Sequence, residues 1–128
     1  MAYYFSKTLN TSFDEAIQKV TDELKKEGFG ILTDIDVQQT LRKKLDVDFR
    51  KYRILGACNP PFAYKALQLE NRIGTMLPCN VVVQELNDEK VEVAAIDPVA
   101  SMQAVENQDL REVADQVQSK LKKVIDRL

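Results

Sequence analysis

The chain has two cysteines, and each stands directly before an asparagine and close to proline: Cys58-Asn59-Pro60-Pro61 and Pro78-Cys79-Asn80. A thiol becomes a nucleophile or redox centre when a positive charge or a helix N-terminus lowers its pKa and solvent can reach it. Cys58 meets the first condition if Asn59 caps a helix that begins at Pro60, since asparagine and proline favour those positions. Pro60 and Pro61 work against activation, because they lack N–H groups and the first turn then offers a thiolate fewer donors. Free cysteine is also commonly a small buried hydrophobe, so Cys58 packed beside Ile54 and Gly56 is the competing reading. Cys79 opens the most apolar run of the chain, and the two thiols meet only if that run lies beside the segment ending at Cys58. A disulfide is disfavoured in a reducing compartment. Two thiols also fall short of the four ligands that tetrahedral zinc takes, unless a two-fold axis brings in a second copy. Neither metal nor cofactor is expected.

Other chemistry is sparse. There is no histidine, which removes the usual general base near neutral pH and every Ser-His or Cys-His arrangement. The four glycines, at 28, 30, 56 and 74, are too scattered for a phosphate-binding loop. Asp14 and Glu15 suit the first turn of a helix, and Asp34 and Asp36 suit a strand-to-helix junction, so neither pair makes an acid–base dyad. The basic run RKKLDVDFRKYR at 42–53 reads as a solvated helix face followed by a charged edge strand. Anion or RNA contact is the sharper alternative there, weakened by the lack of aromatics other than Phe49 and Tyr52. Asn59 and Asn80 have structural readings, as a helix cap and as a partner for loop backbone near Pro78. In the functional reading their amides line the mouth of a pocket beside the thiols.

The elements that would position these residues can be read from periodicity. Residues 2–9 suit a first strand. Ser12 and Glu15 form a capping-box pattern, Phe13, Ala16, Ile17, Val20 and Leu24 make a helical stripe, and Gly28 suits the left-handed stop. FGILTDIDV is strand-like, and Val37, Leu41 and Leu45 imply a short helix from about Asp36 to Leu45. In FRKYRILGAC, one face carries Tyr52, Ile54, Gly56 and Cys58, and the half-polar other face carries Lys51, Arg53, Leu55 and Ala57. The helix from Pro60 would turn Ala63, Ala66 and Leu67 inward. CNVVVQEL and VEVAAI, joined by NDEK, form a hairpin, and Asp97-Pro98 marks a further helix entry. Leu110, Val113, Ala114, Val117, Leu121, Val124, Ile125 and Leu128 recur at three and four, which predicts a long amphipathic C-terminal helix.

The order β-α-β-α-β-α-β-β-α predicts an α+β fold, with an antiparallel or mixed sheet and helices on one side. At 128 residues, 45% hydrophobic and 30% charged, the chain is expected to form a single domain over residues 1–128. A net charge of −2 disfavours nucleic acid and anionic membrane as general partners. The first residues show no export signal and no apolar run is long enough to span a bilayer, so a cytoplasmic location is expected.

The stretch ILGACNPPFAYKALQLENRIGTMLPCNVVVQE, with AAIDP at 94–98, resembles the family catalogued as domain of unknown function 302. FDEAIQKVTDELKKEGFGILTDIDV is similar to that family's opening helix and strand. The resemblance implies a curved antiparallel sheet with a long C-terminal helix, similar to the TATA-binding-protein-like class, and a homodimer. It supplies no reaction. The residues and the resemblance together lead to the expectation of a non-hydrolytic small-ligand-binding or accessory domain, with a pocket near Cys58, Asn59, Pro60, Pro78, Cys79 and Asn80. The alternatives are a thiol redox or sulfur-transfer enzyme, with Cys58 as nucleophile and Cys79 as resolving thiol, and a structural or regulatory interaction protein.

Overall fold

In the computed structural model, which describes residues 2–128, a polypeptide of alternating strands and helices forms one open sheet. Strands β1 (Tyr4–Leu9), β2 (Gly30–Asp36), β3 (Tyr52–Cys58), β4 (Cys79–Asn87) and β5 (Lys90–Ile96) lie in the order β1-β5-β4-β3-β2. Every neighbouring pair is antiparallel. The five helices are α1 (Phe13–Lys26), α2 (Val37–Leu45), α3 (Pro60–Leu69), the single turn α4 (Pro98–Ser101) and α5 (Gln108–Asp126).

The connection β1-α1-β2 carries the chain from one sheet edge to the other, so α1 must cross beneath the sheet. It does so with Ala16, Val20 and Leu24 fully buried. Its start is the expected cap: the Ser12 Oγ accepts from the Glu15 N–H at 3.2 Å. Gly28, at φ +87°, ends it in the left-handed region where a side chain would be strained. The α5 stripe from Leu110 to Ile125 is buried as its periodicity requires. Lys7 of β1 fastens the end of that helix by donating to the Leu128 carbonyl at 2.6 Å.

Alternation along the central strands sets the core. Leu55 and Ala57 of β3, Val81 and Val83 of β4, and Val91, Val93 and Ala95 of β5 face the helices and are buried. Each of the leucine and valine side chains among them contributes about 1.5–3 kcal/mol when fully buried. The half-polar side of β3 is thus its core side. Arg53 stays compatible with that face because it lies at its margin and donates to Asp34 on β2, with Nε to Oδ1 at 2.9 Å.

Several local expectations are corrected. The sheet is antiparallel as expected, but β3 is an interior strand between β2 and β4, so the basic residues of 50–53 do not protect an edge. Asn80 is exposed on β4 opposite Gly56, away from the loop backbone it was expected to satisfy. Asp36 does cap α2, accepting from the Gln39 N–H at 2.9 Å, whereas Asp34 pairs with Arg53. Leu67 faces a cavity beside Ala63 and Ala66 but remains 43% exposed, so it is a rim residue and not part of the sealed core. No helix among the described residues is long and apolar enough to cross a membrane.

Candidate functional site

The ends of β3 and β4 meet where the cysteines lie. In the antiparallel register Ala57 stands opposite Cys79, and Cys58 is the next residue, opposite Gly30 of β2. Above these strand ends the core is incompletely filled. A cavity of about 280 Å³ opens there. Its floor is Phe29, Ala57, Cys58 and Cys79, and its walls are Phe62, Ala63, Ala66 and Leu67 of α3 and Leu110, Val113, Ala114 and Val117 of α5. Leu77 and Pro78 close one side, and Pro98 and Met102 close another.

Four of the six expected site residues therefore come together: Cys58, Asn59, Pro78 and Cys79 all line this cavity. Pro60 does not, because it occupies the exposed first turn of α3. Asn80 does not, because strand alternation turns it to the far side of the sheet from Cys79.

Asn59 precedes α3 but does not cap it with its side chain. Pro60 and Pro61 leave few N–H groups to cap, and the amide goes elsewhere: Nδ2 donates to the Glu27 carbonyl at 3.0 Å. A carbonyl can only accept, which fixes the amide orientation and leaves Oδ1 as an acceptor. The other end of α3 is held in the same way. Nδ2 of Asn107 donates to the Leu69 carbonyl at 3.1 Å, while its Oδ1 caps α5 by accepting from the Leu110 N–H at 3.1 Å. These clamps add to a modest apolar anchorage, in which Phe62 and Leu69 of α3 pack against the core while only partly buried. Ala66 is its only buried residue, and Tyr64 and Leu67 are exposed.

The mouth is also apolar. Leu32 sits at a β-bulge, between the pairs Ile31–Ala57 and Thr33–Gly56, so it belongs to neither face. It is 68% exposed and still lines the cavity. Leu67 of α3, also partly exposed, lines the same cavity. Gly56 admits the neighbouring loop: a Cβ there would lie 2.1 Å from the Thr33 Oγ1 and 2.7 Å from the Pro78 Cγ.

Both cysteines are free thiols. Burial pushes the Cys79 thiol up to about 11 from its ordinary 9.0, and the nearby Cys58 adds to the rise. Cys79 is thus protonated throughout the neutral range. No charged side chain lines the cavity, and no cluster of three or more His, Cys, Asp or Glu suited to a metal occurs among the described residues. The chemistry on offer is apolar contact, soft sulfur and one amide.

Sequence reasoning missed most of the walls. The α5 residues had the spacing of ordinary core, Met102 lay in no periodic segment, and the Leu32 bulge has no sequence signal beyond the flanking strand.

Comparison with known proteins agrees with this architecture. The crystal structure of an uncharacterized conserved DUF302 protein from Bacillus stearothermophilus matches with a TM-score of 0.91 and 28% sequence identity, covering 99% of this chain and 98% of that one. No curated protein matches the chain. The family model described as "Domain of unknown function DUF302" matches residues 5–128, nearly the whole sheet and all its helices, and the chain belongs to that family.

Proposed function

We propose that the protein binds a small, uncharged, largely apolar molecule in the cavity beneath α3. The observation that supports this reading is a space of about 280 Å³ lined by apolar side chains, two thiols and one amide, without a single charge. A charged ligand would leave its ion unpaired in that space at a cost of several kcal/mol, whereas an apolar one gains contact on every side. The free Oδ1 of Asn59 suits a ligand that carries one hydroxyl or N–H donor.

The thiol-enzyme reading is less well supported. A resolving thiol attacks as thiolate, and a pKa of about 11 for Cys79 leaves roughly one molecule in ten thousand in that form at pH 7. Cys58 and Cys79 serve this cavity as compact, polarizable wall groups. They remain reduced if the protein works in the cytoplasm, which is the location we infer.

Native mass spectrometry of protein purified without reductant or detergent, compared with Ala114→Leu, tests the reading. An uncharged mass adduct on the parent chain that is absent from the variant is expected. A charged adduct, or one retained in full by Ala114→Leu, contradicts it.

A further inference from the structure

The cavity combines a single amide with an apolar rim. Asn59 lines it while only 8% exposed. Its Nδ2 is committed to the Glu27 carbonyl, and its Oδ1 accepts no hydrogen bond among the described residues. The Glu23 Oε2 is the only fully enclosed side-chain polar atom without a partner among those residues, so the Asn59 Oδ1 borders open space. The amide also packs close on Gly28, where a Cβ would lie 3.2 Å from Nδ2, and it has little freedom to turn.

The rim is different in kind. Leu32 and Leu67 both line the cavity while 68% and 43% exposed. Gly74 leaves the rim open beside Leu67: a Cβ there would meet nothing nearer than the Leu67 Cδ2, at 3.9 Å. The space behind this rim is small. At roughly 30 Å³ per non-hydrogen atom, the share of a water molecule in the liquid, it holds about nine such atoms. A molecule that reaches from the buried acceptor to the exposed leucines and lies along them is longer than the cavity.

Resting on the reading that the cavity takes an uncharged apolar molecule, we propose that its ligand is a straight-chain alcohol, seated hydroxyl first on the Asn59 Oδ1, with a tail that outgrows the cavity and lies along Leu32 and Leu67. The hydroxyl donates to the one free amide acceptor. Entry tail first would set methylenes against Oδ1 and leave a buried acceptor unpaired, which costs more than the bond itself is worth. A carboxylic acid fails twice. Ionised near pH 7, it has no proton to donate and brings a charge into an uncharged space. Ethers and ketones lack the donor. A compact ring of the cavity's volume reaches the amide but leaves the leucines bare, whereas each further methylene of a chain removes more of their surface from water.

Displacement of an uncharged naphthylamine probe by butanol, hexanol, octanol, decanol and dodecanol tests this on the full chain. Affinity is expected to rise about fourfold per methylene up to octanol, where the cavity is full, and about twofold per methylene from there to dodecanol. Methyl nonyl ether has as many non-hydrogen atoms as decanol but no donor, and it should bind at least about fivefold more weakly. Leu32→Ser and Leu67→Ser should each weaken dodecanol and leave hexanol unchanged, so hexanol reports in the same sample that the variant is folded. The proposal falls, and the apolar-cavity reading stands, if the probe binds but no alcohol displaces it. The same holds if the ether matches decanol, or if the gain beyond octanol is absent or survives both serine variants. A probe that does not bind at all overturns both.

Discussion

The side-chain amide of Asn59 spans from the start of α3 to the end of α1, where its Nδ2 donates to the Glu27 carbonyl at 3.0 Å. This bond ties a thinly anchored helix to a deeply buried one, and with it one wall of the cavity to the core. Asn107 does the same at the far end of α3, through the Leu69 carbonyl.

Asn59→Asp keeps the shape but replaces the donor with an acceptor, so the Glu27 carbonyl loses its partner and faces a carboxylate. A loss of about 1–3 kcal/mol is expected, measured as a lower urea midpoint with an unchanged slope. Asn107→Ala is expected to cost about 1–2 kcal/mol, since it removes both the clamp and the α5 cap.

The same clamps predict where the molecule opens first. Hydrogen exchange in α3 should be faster than in the Leu121–Ile125 stretch of α5, because α3 has one buried residue and α5 a continuous buried stripe. Asn107→Ala should quicken exchange in α3 and leave the centre of β4 at its original rate. Equal protection in both helices would mean that α3 is held by something other than its ends.

Gly56→Ala introduces a methyl group into the space of the Thr33 hydroxyl and the Pro78 ring. Thr33 can rotate, but the proline ring has little freedom, so a destabilisation of about 1–3 kcal/mol is expected. The double variant G56A/T33S keeps the hydroxyl and should recover only part of the loss, as read from the shift in thermal midpoint.

Cys79 gives a pH dependence with a definite sign. Its folded-state pKa is raised from 9.0 to about 11, so folding favours the protonated thiol. Its stabilising effect is fully present below pH 9 and is lost as the pH rises through the folded pKa. Between pH 9 and 11 the native protein should lose about 2–3 kcal/mol more than Cys79→Ala does, at 1.36 kcal/mol per unit. Alkylation of the native protein should correspondingly reach Cys58 before Cys79.

Much of the frame was written plainly in the sequence. Ser12, Gly28, Asp36 and the α5 stripe mark their elements through local chemistry that tertiary packing had no reason to override. The approach of Cys58 to Cys79 was readable only as a condition, since β-register depends on partners distant in the chain. Asn59 was misread because two prolines removed the N–H groups that a capping side chain would have met, and its amide turned to another helix. Leu32 escaped notice, and the exposure of Leu67 was not foreseen, for a related reason. A bulge and a weakly anchored helix set their exposure, and periodicity encodes neither.

A cavity that binds as proposed is both accessible and selective for uncharged molecules. Fluorescence titration with an uncharged naphthylamine probe, beside its sulfonated analogue, measures this most directly. Saturable binding of the uncharged probe at one site per chain is expected, with at least about tenfold weaker binding of the sulfonate and loss of both in a folded Ala114→Leu variant. Equal affinity for the two probes, or full binding by Ala114→Leu, would contradict it.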